Sequence, residues 1–318
     1  MAHRLEDIGE GGGSTAPFAD RLCERVEARS SQLVLGLDPD PAALWFEAAG
    51  SGSSASAREV AQLTADAVER HCRLAIEAAG PFCVAVKLQF ACFERLGGPG
   101  IDAAYAVADA AREAGLLVIA DAKRGDVPVS AKAYAQAFLG STPGPFGDVP
   151  GFGADALTVN PLLGRDALEP FTAAAAAAGA GLFVLVRTSN PGAADLQDLP
   201  APDRPLHERI AELVASLGAG DDSACGLSMV GAVTGATRPE MLDRLRELMP
   251  RAVFLLPGVG AQGGRVEELA AAFRPHPAAG LVTASRSIVS AYKERGGDPA
   301  RAAAEAAEEL RAAAWSLV

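Results

Sequence analysis

Eight short, almost uninterrupted apolar runs recur along the chain: Leu33 to Asp38, Phe82 to Leu88, Leu116 to Asp121, Ala154 to Asn160, Leu182 to Arg187, Leu227 to Val233, Val253 to Pro257 and Leu281 to Ser285. Each has the length of a strand, and none alternates apolar with polar residues as a half-exposed antiparallel strand would. Continuous apolar strands belong to a parallel sheet buried on both faces, and the longer Ala- and charge-rich segments between them supply crossover helices. Eight such units in succession predict an α/β fold, a closed (β/α)8 TIM barrel. A doubly wound open sheet is the alternative, but it usually has fewer strands and a switch in strand order.

The pattern also sets the boundaries. Residues 1–15, with Gly11-Gly12-Gly13-Ser14, have no apolar period and read as a flexible tail, leaving 16–318 as a single barrel domain. Ala16 to Ser30 places Phe18, Leu22 and Val26 at i, i+4 and i+8, so a helix precedes the first strand and is expected to close the barrel's lower end. Two stretches break the rhythm as insertions free to move: the Gly/Ser/Ala segment Ser51 to Ala57 and the Pro/Gly/Phe segment Ser141 to Gly153. The run Ala173 to Ala178 is low in complexity, yet alanine is the best helix former, so a packed helix is expected.

Composition narrows the partners. A net charge of -12 argues against nucleic acid or an anionic membrane, both of which need a basic surface. An anionic ligand must then be held by local cations and backbone N–H groups. Five cysteines without C-x-x-C spacing, and no secretory signal, suggest reduced thiols in a cytoplasmic protein. No apolar run is long enough to span a bilayer, and the four histidines lack metal-ligand spacing.

In such a barrel the working residues sit at the carboxyl ends of the strands. Read in order, those ends supply Asp38, Lys87, then Asp121 with Lys123 and Asp126, then Asn160, Arg187 to Asn190, Pro257 to Gly264, and Ser285-Arg286-Ser287. A single such charge is usually a solvated loop residue. Five alternating charges on three successive strands instead predict ion pairs in which each group favours its neighbour's ionised form, a pattern shared by active sites and structural networks. The run Gly258 to Gly264 allows close backbone approach, and Arg265 to Phe273 reads as a helix whose N–H groups point toward the pit. Arg286 adds a fixed cation. Loops after strands seven and eight are the habitual phosphate site of these barrels.

Asp121-Ala122-Lys123-Arg124-Gly125-Asp126 resembles the D-x-K-x-x-D signature of the orotidine 5'-phosphate decarboxylase family. The resemblance extends in order through Leu37-Asp38, Val86-Lys87, Thr188-Ser189-Asn190-Pro191-Gly192, Pro257 to Gly264 and Arg286, covering about residues 30 to 295. It is nearest the longer bacterial subgroup, in which Arg-Gly follows the lysine. The resemblance implies conversion of orotidine 5'-phosphate to UMP without metal or cofactor, in a homodimer with shared active sites. It implies that Lys123 protonates pyrimidine C6, that Asp121 faces the departing carboxylate, and that Asp126 crosses into the partner's site with Ser130 on the same segment. Asp38 and Lys87 match ribose contacts, and Ser189 the position that reads the pyrimidine edge. Gln262 and Arg286 match phosphate ligands, with Pro257 and Gly263 in the same substrate-binding loop.

Two other readings stay open at this stage. One is a Mg-dependent sugar-phosphate decarboxylase or aldolase of the same suprafamily; the other is a non-catalytic phosphate-binding barrel. Trp45 and Trp315 read as packing groups, Cys83 and Cys92 as small apolar fillers, and His207 as a surface residue near a helix start.

Overall fold

The computed structural model describes residues 16–49, 56–220, 223–260 and 262–318; the tail 1–15, residues 51–55 of the first insertion, and Ala261 lie outside the described residues. All eight apolar runs are strands: β1 (Leu33–Leu37), β2 (Ala85–Gln89), β3 (Leu117–Arg124), β4 (Ala156–Val159), β5 (Gly181–Arg187), β6 (Ser228–Thr234), β7 (Ala252–Pro257) and β8 (Gly280–Ala284). They close in sequence order, every neighbour parallel, with β1 pairing β2 on one side and β8 on the other. This is the (β/α)8 barrel, and the open sheet is excluded because no strand order reverses.

Helix α1 (Phe18–Arg29) precedes β1 and buries Phe18, Leu22 and Val26 against inward residues of the strands, among them Val34, Ile119 and Phe183. Phe18 meets Phe183 edge to face with ring centroids 6.0 Å apart. Gly181 makes this seat possible: a β-carbon there would lie 2.4 Å from the Phe18 ring. The amino-terminal mouth of the barrel is therefore plugged with hydrocarbon, and the opposite mouth is left for chemistry.

The crossover helices are α2 (Ala57–Ala79), α3 (Gly98–Glu113), α4 (Pro128–Leu139), α5 (Arg165–Ala178), α6 (Leu206–Leu217) and α7 (Leu242–Leu248), and α8 (Pro299–Trp315) closes the ring. Ser56 caps α2 reciprocally with Glu59, so the end of the first insertion is already helix start. The Ala-rich run lies in α5, as its composition predicts. The second insertion folds as an exposed antiparallel hairpin, Ser141–Gly144 against Gly147–Pro150.

One expectation fails between β7 and β8. Arg265 to Phe273 is no α-helix but two 3-10 turns, Val266–Glu268 and Ala270–Phe273. Pro275 stops helix growth directly after it, since the residue before a proline avoids helical backbone. The buried Arg246 holds one carbonyl of this segment, that of Ala272; its guanidinium also donates to the carbonyls of Ala279, Met249 and Ala252 and lies over the Phe254 ring. No helix of the described residues is long and apolar enough to cross a membrane.

Candidate active site

At the carboxyl mouth, β3 departs from regular pairing. Ile119 and Ala120 pair Ala156 and Leu157, but Val159 pairs Arg124, so two extra residues of β3 are accommodated opposite Thr158. The resulting bulge carries Asp121, Ala122 and Lys123 and re-aims their side chains, as bulges beside active sites do. Lys123 has φ +49°, one of two non-glycine residues with positive φ among those described. Such backbone costs on the order of 1–2 kcal/mol and persists only where surrounding contacts enforce it.

Asp121 is the hub. Its Oδ2 accepts from Lys87 Nζ at 2.7 Å and Gln89 Nε2 at 3.1 Å; its Oδ1 accepts from Lys123 Nζ at 2.5 Å and Thr158 Oγ1 at 3.0 Å. Lys87 also reaches Asp38 at 3.5 Å. Burial works against the charge on Asp121, but the Lys87 and Lys123 ammoniums outweigh it and hold the carboxyl well below the usual range. Burial likewise works against Lys87, while Asp121 and Asp38 hold its pKa above the ordinary lysine value. The side chains of Lys87 and Asp121 are each only 8% exposed, whereas Lys123 is 42% exposed, so of the two lysines Lys123 is the one open to the pit.

Asp126 and Ser130 stand apart from this network. The Asp126 carboxylate accepts from the N–H of Val127 in its own turn, and Ser130 lies in the first turn of α4. Beside them Val127 and Val129 are exposed, as are Leu162 and Leu163 after β4.

The loops after β5, β6 and β7 converge around Ser189. The hydroxyl of Thr237 donates to the Ser189 carbonyl at 3.3 Å. A β-carbon on Gly258, whose φ is +106°, would lie 3.1 Å from Ser189 Cβ and 3.3 Å from Gln262 Oε1, so glycine is what lets these loops touch. Gly263 spends its N–H on the Gly260 carbonyl at 2.8 Å. Gly260 in turn abuts Ser287, beside Arg286 at the head of the turn Arg286–Val289. Arg286 and Gln262 are both exposed. Pro257, the last residue of β7, accepts from the N–H of Ala236 at 2.9 Å.

Behind Ser189 lies a network missed at the sequence level. Arg187 grips Asp198 with two hydrogen bonds of 2.9 and 3.0 Å, and Gln197 accepts from the N–H of Thr188 at 2.8 Å. His207, expected at the surface, is buried, with Nδ1 2.9 Å from the Gln197 carbonyl and 3.2 Å from Asp198. The return of residues 197–198 over the helix start covers it. Thr158 and Gln89 were missed too. Period-two alternation could have found Gln89, which shares the face of Lys87, and an isolated inward Thr in an apolar strand was the signal at Thr158.

A barrel plugged at one mouth, with an alternating Lys–Asp–Lys charge array and a glycine-rich loop beside exposed Arg286 at the other, has the layout of the (β/α)8 enzymes, whose active sites lie at the carboxyl ends of the strands. Residues 31–306 match the sequence model of the Orotidine 5'-phosphate decarboxylase / HUMPS family, and the chain belongs to that family. It is 42% identical over 276 residues to the orotidine 5'-phosphate decarboxylase of Rhodopirellula baltica, covering 87% of this chain and 89% of that one. To the protein of the same name from Deinococcus radiodurans it is 42% identical over 300 residues, covering 93% and 96%. The structure of Leishmania donovani OMP decarboxylase superposes with a TM-score of 0.68 at 32% identity, covering 94% of this chain and 99% of that one.

Proposed function

We propose that the chain decarboxylates orotidine 5'-phosphate to UMP and CO2, the last step of de novo pyrimidine nucleotide synthesis, with no metal or cofactor. The observation that carries the reading is the Lys87–Asp121–Lys123 array at the barrel mouth, in a chain of this family. Loss of CO2 leaves a carbanion at C6 in the ring plane with no carbonyl to delocalise it. Asp121 facing the substrate carboxylate at about 4 Å, with an effective dielectric near 20, supplies about 4 kcal/mol of repulsion. Enzymes at the upper end of known accelerations remove on the order of 20 kcal/mol, so repulsion is the smaller part. The larger part comes from Lys123, whose ammonium is already in place when charge moves onto C6 and then protonates it.

Asp38 and Lys87 hold the ribose. Ser189 reads the base, and Pro257, Gln262, Gly263 and Arg286 hold the phosphate, whose binding energy drives loop ordering over the pit. Because Gly263 donates its N–H within the loop, its share is shape; the Arg286 guanidinium supplies the charge. The working form is a homodimer in which Asp126 and Ser130 enter the neighbouring site. In support, Asp126 has no ion-pair partner of its own chain among the described residues and is bordered by exposed Val127 and Val129. On the same reading the protein works in the cytoplasm, in keeping with five free cysteines.

The test is the loss of orotidine 5'-phosphate ultraviolet absorbance in the presence of EDTA. Turnover indifferent to EDTA is expected. Turnover that EDTA removes and Mg2+ restores would overturn the metal-free mechanism, and none under either condition would overturn the decarboxylase reading in favour of a sugar-phosphate enzyme or a non-catalytic barrel.

A further inference from the structure

Thr158 touches both ends of the β3 bulge. Its Oγ1 lies 2.9 Å from the backbone nitrogen of Lys123 and 3.0 Å from Asp121 Oδ1. The direction of each bond is forced. An amide N–H only donates and a carboxylate only accepts, so the hydroxyl takes the Lys123 N–H on a lone pair and spends its single proton on Asp121. No other hydroxyl orientation satisfies both.

The position is also stiff. Thr158 is fully buried, β-branched, and sits in a strand hydrogen-bonded on both sides. Of the four donors on Asp121, two are ammoniums on long flexible stems that can follow a moving carboxylate, and Gln89 is partly exposed. Thr158 cannot follow. A carboxylate brought against the substrate's own carboxylate would turn away unless something rigid held it. The same oxygen also ties down the left-handed backbone of the residue that carries the ammonium.

We propose that Thr158 is a positioning residue of the decarboxylation site, fixing Asp121 against the substrate carboxylate and Lys123 against C6 through one shared hydroxyl. The inference rests on the functional reading above and assigns Thr158 no contact with substrate. UMP, the product, lacks the carboxylate that presses on Asp121. Loss of the hydroxyl therefore weakens turnover and leaves product binding nearly untouched.

The experiment measures kcat, KM and the Kd of UMP for the wild-type chain and for Thr158→Val, Thr158→Ala and Thr158→Ser, with folding checked by circular dichroism. Thr158→Val keeps the volume and removes the hydroxyl; Thr158→Ala removes it without placing a methyl against Asp121, and serves if valine does not pack. The expected result is a kcat about 100-fold lower in the hydroxyl-free variants, as for loss of a group that fixes reacting geometry. UMP affinity should stay within about threefold, and Thr158→Ser within about fivefold of wild-type turnover, because it restores the same two bonds. Hydroxyl-free variants that turn over within threefold of wild type overturn the proposal. So does UMP affinity that falls in step with kcat, or a serine variant as impaired as valine. An inactive wild-type chain would instead defeat the functional reading, and this inference with it.

Discussion

The two mouths of the barrel both hold hydrogen-bonded cations, and they use them in opposite ways. At the amino-terminal mouth the cations are arginines of α1, and their partners are mostly main-chain carbonyls. Arg29 donates to Gly80, Cys83, Ala114 and Gly115, Arg25 to Gly115, and Arg21 to Gly179 and Ala16 as well as to Asp155. These bonds tie the turns entering β2, β3 and β5 to one helix. At the carboxyl mouth the cations are lysines shared among carboxylates, one of them open to the pit on strained backbone. Arginine's planar fork suits fixed carbonyl clusters, whereas an ammonium on a flexible stem can transfer its attention, and its proton, to an incoming group. The lower mouth stores stability and the upper mouth spends it.

The sharpest way to break this division is Lys123→Ala. If the upper mouth is chemistry and not scaffold, turnover falls by at least about 10⁴-fold, the combined scale of losing a proton donor and a preorganised charge. Asp121 stays paired with Lys87, so UMP still binds and the thermal midpoint stays near wild type. Substantial residual decarboxylation, or unfolding in place of inactivity, would place Lys123 with the structural cations. A companion measurement asks whether the upper mouth is complete in one chain. Asp126→Ala and Lys123→Ala, each inactive alone, are mixed in equal amounts under conditions of subunit exchange. Half of the resulting dimers are hybrids with one intact site of two, so about a quarter of wild-type activity returns if hydroxyl, acid and lysine assort as a shared site requires. Exchange without recovery would confine the site to one chain.

How much of this was legible beforehand follows the same divide. The eight strands, the plug formed by Phe18, Leu22 and Val26, and the charge array follow from continuous apolar runs of strand length, from the 3.6 period and from the rule that function gathers at strand ends. What stayed hidden depends on features without a local signature. The bulge that aims Lys123 appears only in the register of β3 against β4. Thr158 gains meaning only from that bulge, and His207 is buried by a loop returning from ten residues earlier. The failed helix at Arg265 to Phe273 is partly of this kind, because Arg246, which holds its Ala272 carbonyl, lies outside the segment.

The complementary test strikes the lower mouth. Leu22→Ala removes a fully buried side chain from the α1 plug. Large-to-small changes of this kind cost about 3 kcal/mol through lost burial and residual cavity. Urea or thermal unfolding reads that loss directly, while kcat of the folded fraction stays within about twofold. A parallel drop in kcat would mean that the plug transmits strain through the barrel to the bulge, and the division between mouths would fail.

The smallest expected effect concerns a contact that belongs to neither mouth alone. His71 is buried in α2, and its Nδ1 accepts from the backbone N–H of Trp45 at 3.1 Å; the Trp45 indole donates to the Val289 carbonyl at 2.9 Å, in the turn that begins with Arg286. Burial lowers the His71 pKa from 6.5 to about 4. The imidazole is therefore neutral in the fold and must release its Nδ1 lone pair to be protonated. Because the folded pKa is the lower one, the unfolded chain takes up protons first as pH falls. Stability is thus fully present above about pH 6.5 and is lost on the way down toward 4, by about 2 kcal/mol between pH 7 and pH 5. His71→Phe should be less stable at neutral pH, since the Trp45 N–H loses its acceptor, yet its stability should fall less steeply with acid by that amount. Unfolding midpoints measured for both chains from pH 7 to pH 5 give the difference in slope, from which other titrating groups cancel. Equal slopes would mean that His71 protonates freely in the fold, and that the anchor of the turn Arg286–Val289 does not depend on a neutral ring.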